Sequence, residues 1–536
     1  MKRLIKLFPV IAVLLAVIAF SLNAQTIKTP SEKGDFEEYT TYEEMMEYLQ
    51  EVQATTTEML LSDYGETIEG RKIPYAIFSR PMVTQPWEAM ASGKPVVFMS
   101  ANIHGGERTV REGLLLLIAE LADKTSPANR LLDDLVILFI PSINPDGLVR
   151  ASRGNSNGID MNRDFMKLEQ DALYNYIHNL VLLWRPHGWL DGHNGGSRPY
   201  NMCYQGPGNI ESDLDLMNLV DHEMFPFIDQ EMLKAGYKSW YYSGGDSTSW
   251  RVGLTYPRVA NNYAGMIDCL GVLYESPGQD RKTGALSALV ASKAYLQFFA
   301  NNSQKVMETV NRARNETITL GQTASGDIPV VMEKVAEDYK VSYEIMIREG
   351  GTPDPNNPRR ITGGTQRAVQ ITNADIIKKL VATKTRPRPY VYILEPRAKK
   401  AIEMLERHRV TIEVLQEDTE LDVEAYIAKE ITRSSQYDHP ASAGSVVVED
   451  EMHKMTRTFP KGSYIVRTGQ ASGRIVCHML EPETTDNVIT WNAMDAILPR
   501  ISSGQGNQRG GRQAGPAIIP IFKVMVPKPL PTKILK

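Results

Sequence analysis

Dense apolar runs alternate along the first three hundred residues with stretches whose apolar positions recur every three or four residues. The runs Lys94 to Ala101, Leu135 to Ile140, Trp189 to Asp191 and Gly271 to Glu275 predict buried strands, and residues 64 to 80 predict a turn followed by an alternating strand. Between them, Arg111 to Asp123, Leu168 to Trp184, Ile210 to Ala235 and Ala285 to Arg314 carry helical spacing, after a polar amphipathic helical entry over 36 to 63. Buried strands alternating with helices predict an α/β fold, an α/β/α sandwich around a mixed, mostly parallel sheet.

The pattern changes after residue 318. Residues 319 to 385 read as linker and irregular chain, with the Gly/Pro/Asn-rich stretch 350 to 364 inside them. From 386 to 536 a second strand–helix–strand (PYVYILEP, AKKAIEMLERHRV, TIEVLQED) predicts a smaller C-terminal α/β accessory domain. Its Gly-rich segment 503 to 515 is expected to be mobile. The catalytic unit is therefore expected over 36 to 318.

Composition narrows the function. The 536 residues carry 59 Lys+Arg against 64 Asp+Glu, so no basic excess points to nucleic acid. Three cysteines, Cys203, Cys269 and Cys477, form neither a disulfide framework nor a CxxC metal site, and buried free thiols are expected. Residues 1 to 24 have the order of a secretory signal: Lys2, Arg3 and Lys6, the apolar run Leu7 to Phe20, then Ser21 to Ala24. That run is shorter than the ~20 residues a spanning helix needs, so cleavage and export to periplasm or medium are expected, with no membrane span left.

Candidate chemistry sits where the strand runs end. His104-Gly105-Gly106-Glu107 follows the Lys94 to Ala101 run, and Asp191-Gly192-His193-Asn194 follows another. Imidazole and carboxylate suit zinc, and two His with one Glu leave a position open, the pattern of a catalytic site. His193 is the natural third ligand; His187 is a rival. In Ile159-Asp160-Met161-Asn162-Arg163, Arg163 offers a two-pronged donor for a carboxylate, Asn162 another donor, and Asp160 an acceptor for the far nitrogen of a ligating His. Arg153 is suited to stabilising an oxyanion. Glu275, an ionisable group ending an apolar strand, is costly unless paired or functional, and beside a metal it is a candidate general base.

In this order the set resembles the zinc carboxypeptidase family, the carboxypeptidase A-like enzymes, over residues 38 to 300. The resemblance implies one Zn2+ on His104, Glu107 and His193. It makes Glu275 the base and Arg153 the oxyanion group. Asn162 and Arg163 bind the terminal carboxylate, and Asp160 supports a ligand. The mobile active-site tyrosine of the family falls on Tyr241 or Tyr242, beside Trp240, with Tyr263 a further candidate, and the pocket residue falls near Thr248. The implied reaction is hydrolysis of the C-terminal bond of a peptide, or of a peptidoglycan fragment, bearing a free carboxylate. Alternatives are a cell-wall amidase or D,L-carboxypeptidase on the same scaffold, and a binding module without catalysis.

Overall fold

The computed structural model describes residues 27–354, 357–436, 439–499 and 516–535. The signal-like segment 1 to 24 and the Gly-rich segment 503 to 515 lie outside them.

The N-terminal half is built on one eight-stranded sheet of β1 (Met59–Glu66), β2 (Lys72–Phe78), β3 (Val96–Ala101), β4 (Val136–Ile140), β5 (Gly188–His193), β6 (Met202–Gln205), β7 (Ser239–Tyr241) and, after two short strands β8 (Ser243–Gly245) and β9 (Ser249–Val252), β10 (Leu270–Glu275). Its order is β1-β2-β4-β3-β5-β10-β6-β7. The central strands β4, β3, β5 and β10 run parallel; β1 pairs antiparallel with β2, β2 with β4 and β6 with β10, while β7 runs parallel to β6. Every residue of β3, β4, β5 and β10 is buried, which is why these strands read as continuous apolar runs rather than alternating ones. From β3 the chain leaves to β4 on one side and returns as β5 on the other. The gap at the carboxyl ends of β3 and β5 is thus a topological switch point, where open sheets of this kind bind ligands.

Helices cover both faces. Thr109–Ala122 and Arg281–Asn301 pack together on one face, where the apolar stripe of the first meets Ala288 and Ala291 of the second. Gly113 permits their approach, since a Cβ there would lie 2.6 Å from the Ala288 Cβ.

Several expectations need correction. The entry segment is helical only over Tyr42–Gln53, and residues 59 to 66 form the edge strand β1. The long helix after β10 is two, Arg281–Asn301 and Ser303–Gln322, so residue 318 falls inside a helix. Residues 319 to 385 are not irregular. β11 (Asp327–Glu349) and β14 (Thr365–Pro387) form one long antiparallel arm, with a small hairpin β12 (Thr352–Asp354) and β13 (Asn357–Thr362) at the Gly/Pro-rich tip. Alternation such as Tyr343, Ile345, Ile347 against Glu344 and Arg348 specifies it. β14 also pairs in parallel with β9, burying Tyr343 and Ile376 against Trp250.

The C-terminal region is a sheet of β15 (Val391–Leu394), β16 (Ile412–Leu415), β17 (Thr419–Gln436), β18 (His439–Val448), β19 (His453–Phe459), β20 (Tyr464–Arg467), β21 (Ile518–Val524) and β22 (Thr532–Ile534). The predicted strand–helix–strand is present as β15, the helix Lys399–Glu406 and β16, but β20 lies between the two strands and pairs antiparallel with both. Its apolar face, with Tyr392, Leu405 and Val476, joins Trp189, Tyr176 and Tyr263 under the main sheet in one continuous core. Among the described residues no helix is long and apolar enough to cross a membrane, and Cys203, Cys269 and Cys477 are buried free thiols.

Candidate metal centre and substrate cleft

His104 and Glu107 lie in a tight turn just past β3. Asn102, at φ 60°, turns its side chain back so that its amide donates to the carbonyls of His104, Gly105 and Glu107 at 3.0–3.1 Å. Gly105 is required by contact rather than by torsion: a Cβ there would fall 1.9 Å from the Gly147 carbonyl carbon, in the short helix Pro145–Arg150 that follows β4. His193 ends β5 and is in parallel register with Glu275 at the end of β10, so both side chains emerge on one face of the sheet.

Three atoms converge. His104 Nδ1 and His193 Nδ1 each lie 2.9 Å from Glu107 Oε2 and 3.1 Å from one another. The opposite ring nitrogens are committed elsewhere: His104 Nε2 is 2.9 Å from Asp160 Oδ1, and His193 Nε2 is 2.7 Å from Asp191 Oδ2. With the Nε2 protons given to these carboxylates, both Nδ1 atoms and Glu107 Oε2 turn toward one point, where a proton or a metal cation can be shared. Ligand atoms of a tetrahedral zinc with ~2.1 Å bonds stand about 3.4 Å apart, so the triad is close to a ready site. Carboxylate behind each imidazole is the support that ligating histidines use.

The electrostatics agree. Burial opposes charge on Glu107, yet hydrogen bonds from both histidines hold it well below the usual carboxylate range. Burial alone would lower the His193 pKa, but Asp191 and Glu107 raise it well above the ordinary imidazole value. The pocket thus favours positive charge. His187, the rival ligand, is elsewhere: its Nδ1 accepts from the Val96 amide at 3.0 Å, and burial pushes it down to about 3.

A cleft of about 130 Å³ opens beside the triad and brings together Arg153, Asn162, Arg163, Tyr242 and Glu275. Arg153 Nε donates to Asp160 Oδ2 at 2.9 Å and its Nη1 to Glu107 Oε1 at 3.2 Å, so the guanidinium is already aimed beside the metal position. Asp160 is held ionised against its burial by His104, Arg153 and Arg163. Asn162 is fixed from behind, its Oδ1 accepting from the Ala260 amide at 3.0 Å. Glu275 is 8% exposed, and burial pushes its carboxyl up to about 7. Gly195 makes room for it, because a Cβ there would sit 2.4 Å from Glu275 Oε2. Burial likewise pushes the Tyr242 phenol up to about 12, keeping it a proton donor.

Two predicted residues are not in the cleft. Tyr241 points to the other side of β7, where its hydroxyl donates to Asp221 at 2.7 Å, and neighbouring residues of a strand face opposite ways. Thr248 is exposed in the β8–β9 turn, bound to Asp246. Tyr263 is buried on the far face against His408, and Trp240 stacks with Tyr200. The cleft also holds residues that the sequence reading missed: Gln205, Leu254, Val259, Asn261 and Leu273. Leu273 and the His193 partner Asp191 were findable, since each lies two residues before a site residue on its strand.

Residues 45–221 match the family model described as zinc carboxypeptidase. Carboxypeptidase 2 of Trichophyton rubrum is 24% identical over 448 residues, 78% of this chain and 77% of that protein. Carboxypeptidase E of Caenorhabditis elegans is 32% identical over 178 residues, 30% of this chain and 36% of that protein. Among solved structures, a metallo-carboxypeptidase from Pseudomonas aeruginosa superposes with a TM-score of 0.40 at 19% identity, covering 49% of this chain and 69% of that one. Relatives and triad lead to the same place: residues 45–221, which carry the triad, match the zinc carboxypeptidase family.

Proposed function

We propose that this zinc carboxypeptidase releases the C-terminal residue of peptides, with Glu275 as the proton-transfer group and Arg163 and Asn162 as the carboxylate anchor. The observation that carries the reading is the convergence of three ligand atoms, from two histidines and a glutamate, next to a buried glutamate in one cleft. Zinc held by His104, Glu107 and His193 would supply a Lewis acid that polarises the scissile carbonyl and acidifies water.

The protein's own groups do the rest. Glu275, with a pKa near the working range, takes a proton from the attacking water and passes it to the departing amine. Arg153, steadied by Asp160 and Glu107, donates to the oxygen on which charge develops. Arg163 and Asn162 face the same cleft and offer donors to a carboxylate. Leu254, Val259 and Leu273 give the cleft an apolar wall that fits an uncharged leaving residue. Export through residues 1 to 24 belongs to the same reading, supported by their basic, apolar and small-residue order.

Glu275→Gln tests the core of it. Zinc content should stay at the wild-type level, while kcat for a free-acid peptide falls by about a thousandfold. Hydrolysis that survives both chelation of the metal and this substitution would remove the catalytic assignment.

A further inference from the structure

Every cleft residue named above precedes Ser276, yet the cleft is braced from the C-terminal region. Two segments carry its carboxylate end. One bears Asn162 and Arg163, the other Val259 and Asn261, and they meet where the Ala260 amide donates to Asn162 Oδ1 at 3.0 Å. The C-terminal region grips both. Trp491, itself buried, has Lys167 Nζ 5.0 Å from its ring centre on the first segment's side and the Arg258 guanidinium 5.0 Å from it on the second's. Asp486, fully buried, lies 2.9 Å from Arg258, the residue immediately before Val259. His408 repeats the arrangement: its Nε2 reaches the Met166 carbonyl at 3.1 Å and its Nδ1 the Tyr263 hydroxyl at 2.9 Å. Arg407 donates to the Lys167 carbonyl at 2.7 Å.

We infer that Asp486 and Trp491 are positioning residues of the substrate cleft: they fix the spacing between the Asn162–Arg163 segment and the Val259–Asn261 segment. An ion pair buried this deeply is expensive to break, because the remaining charge is left without partner or water. The Arg258 backbone is therefore held in one place, and with it Val259 and the amide that steadies Asn162. The metal ligands themselves follow β3 and β5; the clamped segment touches them through Asp160, held to His104, but supplies no ligand. Loss of the clamp is thus a loss of substrate grip, not of metal.

The inference rests on the assignment of Asn162 and Arg163 to the substrate carboxylate, so Asp486→Asn and Arg163→Ala are compared in the full chain. For Asp486→Asn, KM for a free-acid peptide should rise about tenfold with kcat within about threefold of wild type and zinc content unchanged. Its preference for the free acid over the amidated peptide should shrink as well, which a merely structural weakening would not produce. An unchanged KM and an unchanged preference overturn the positioning role, as does a fall in kcat together with zinc content. If Arg163→Ala is silent while Asp486→Asn responds, the carboxylate assignment falls and the clamp stands. If Asp486→Asn does not fold, Arg258→Lys, which keeps the charge pair but alters its geometry, carries the same comparison: a raised KM supports the clamp and an unchanged KM overturns it.

Discussion

Gly195 shows how closely the site is fitted at the scale of single residues. A methyl group at this position would occupy the place of Glu275 Oε2, 2.4 Å away, and the strand behind Glu275 leaves it little room to retreat. Gly195→Ala should therefore lower kcat by at least about tenfold. Metal analysis should find full zinc occupancy, because the ligands are not displaced; kinetics equal to wild type would mean that Glu275 is not where the reaction needs it. The triad was legible in the sequence because strand ends followed by glycines are few, and only His104 and His193 of nine histidines sit at them. The tyrosine was not, because Trp240, Tyr241 and Tyr242 are adjacent and only strand direction separates the one in the cleft from its neighbour on Asp221. Thr248 was misplaced because the β8–β9 turn carries it out to solvent.

At the scale of elements, buried parallel strands were readable and exposed or composite ones were not. β3, β4, β5 and β10 are continuous apolar runs, whereas β6 and β7 are short and the long strands β11 and β14 are largely half-buried or exposed, with a polar tip that reads as linker. The arm nevertheless reaches the cleft wall: Lys334 on β11 donates to the carbonyls of Val252 and Gly253, beside Leu254. The turn after the Lys399–Glu406 helix makes the opposite contact through His408. Burial pushes this imidazole down to about 4, the neighbouring Arg407 and His178 adding to the effect and the Met166 carbonyl partly opposing it. An unfolded histidine titrates near 6.5. Below that pH the unfolded chain takes up a proton that the folded one refuses, so this contribution to stability is complete above about 6.5 and is lost as pH falls towards 4. His187 acts in the same direction. Chemical unfolding at pH 7 and pH 5 should show wild type losing on the order of 2 kcal/mol more than His408→Gln. Equal losses would mean that His408 is not held neutral.

At the scale of the whole molecule, the two eight-stranded sheets share one core rather than forming a catalytic unit with a tethered appendage. Trp189, Tyr263, Tyr392 and Leu405 belong to a single apolar cluster, and Gly321 passes so close to Gly469 that a Cβ would meet its amide nitrogen at 2.2 Å. The sequence announced a change of composition near residue 318 but not this union, because apolar residues on either side read equally well as two separate cores. The carboxylate end of the cleft stands on that union, while the three metal ligands stand at the ends of main-sheet strands. An enzyme built this way should demand a free C terminus. The most direct measurement is mass-spectrometric release of the last residue from one peptide presented as the free acid and as the amide to the zinc-loaded full-length protein. The free acid should lose its terminal residue with a kcat/KM at least about a hundredfold above that for the amide. Equal release from both, or cleavage at internal bonds, would contradict it.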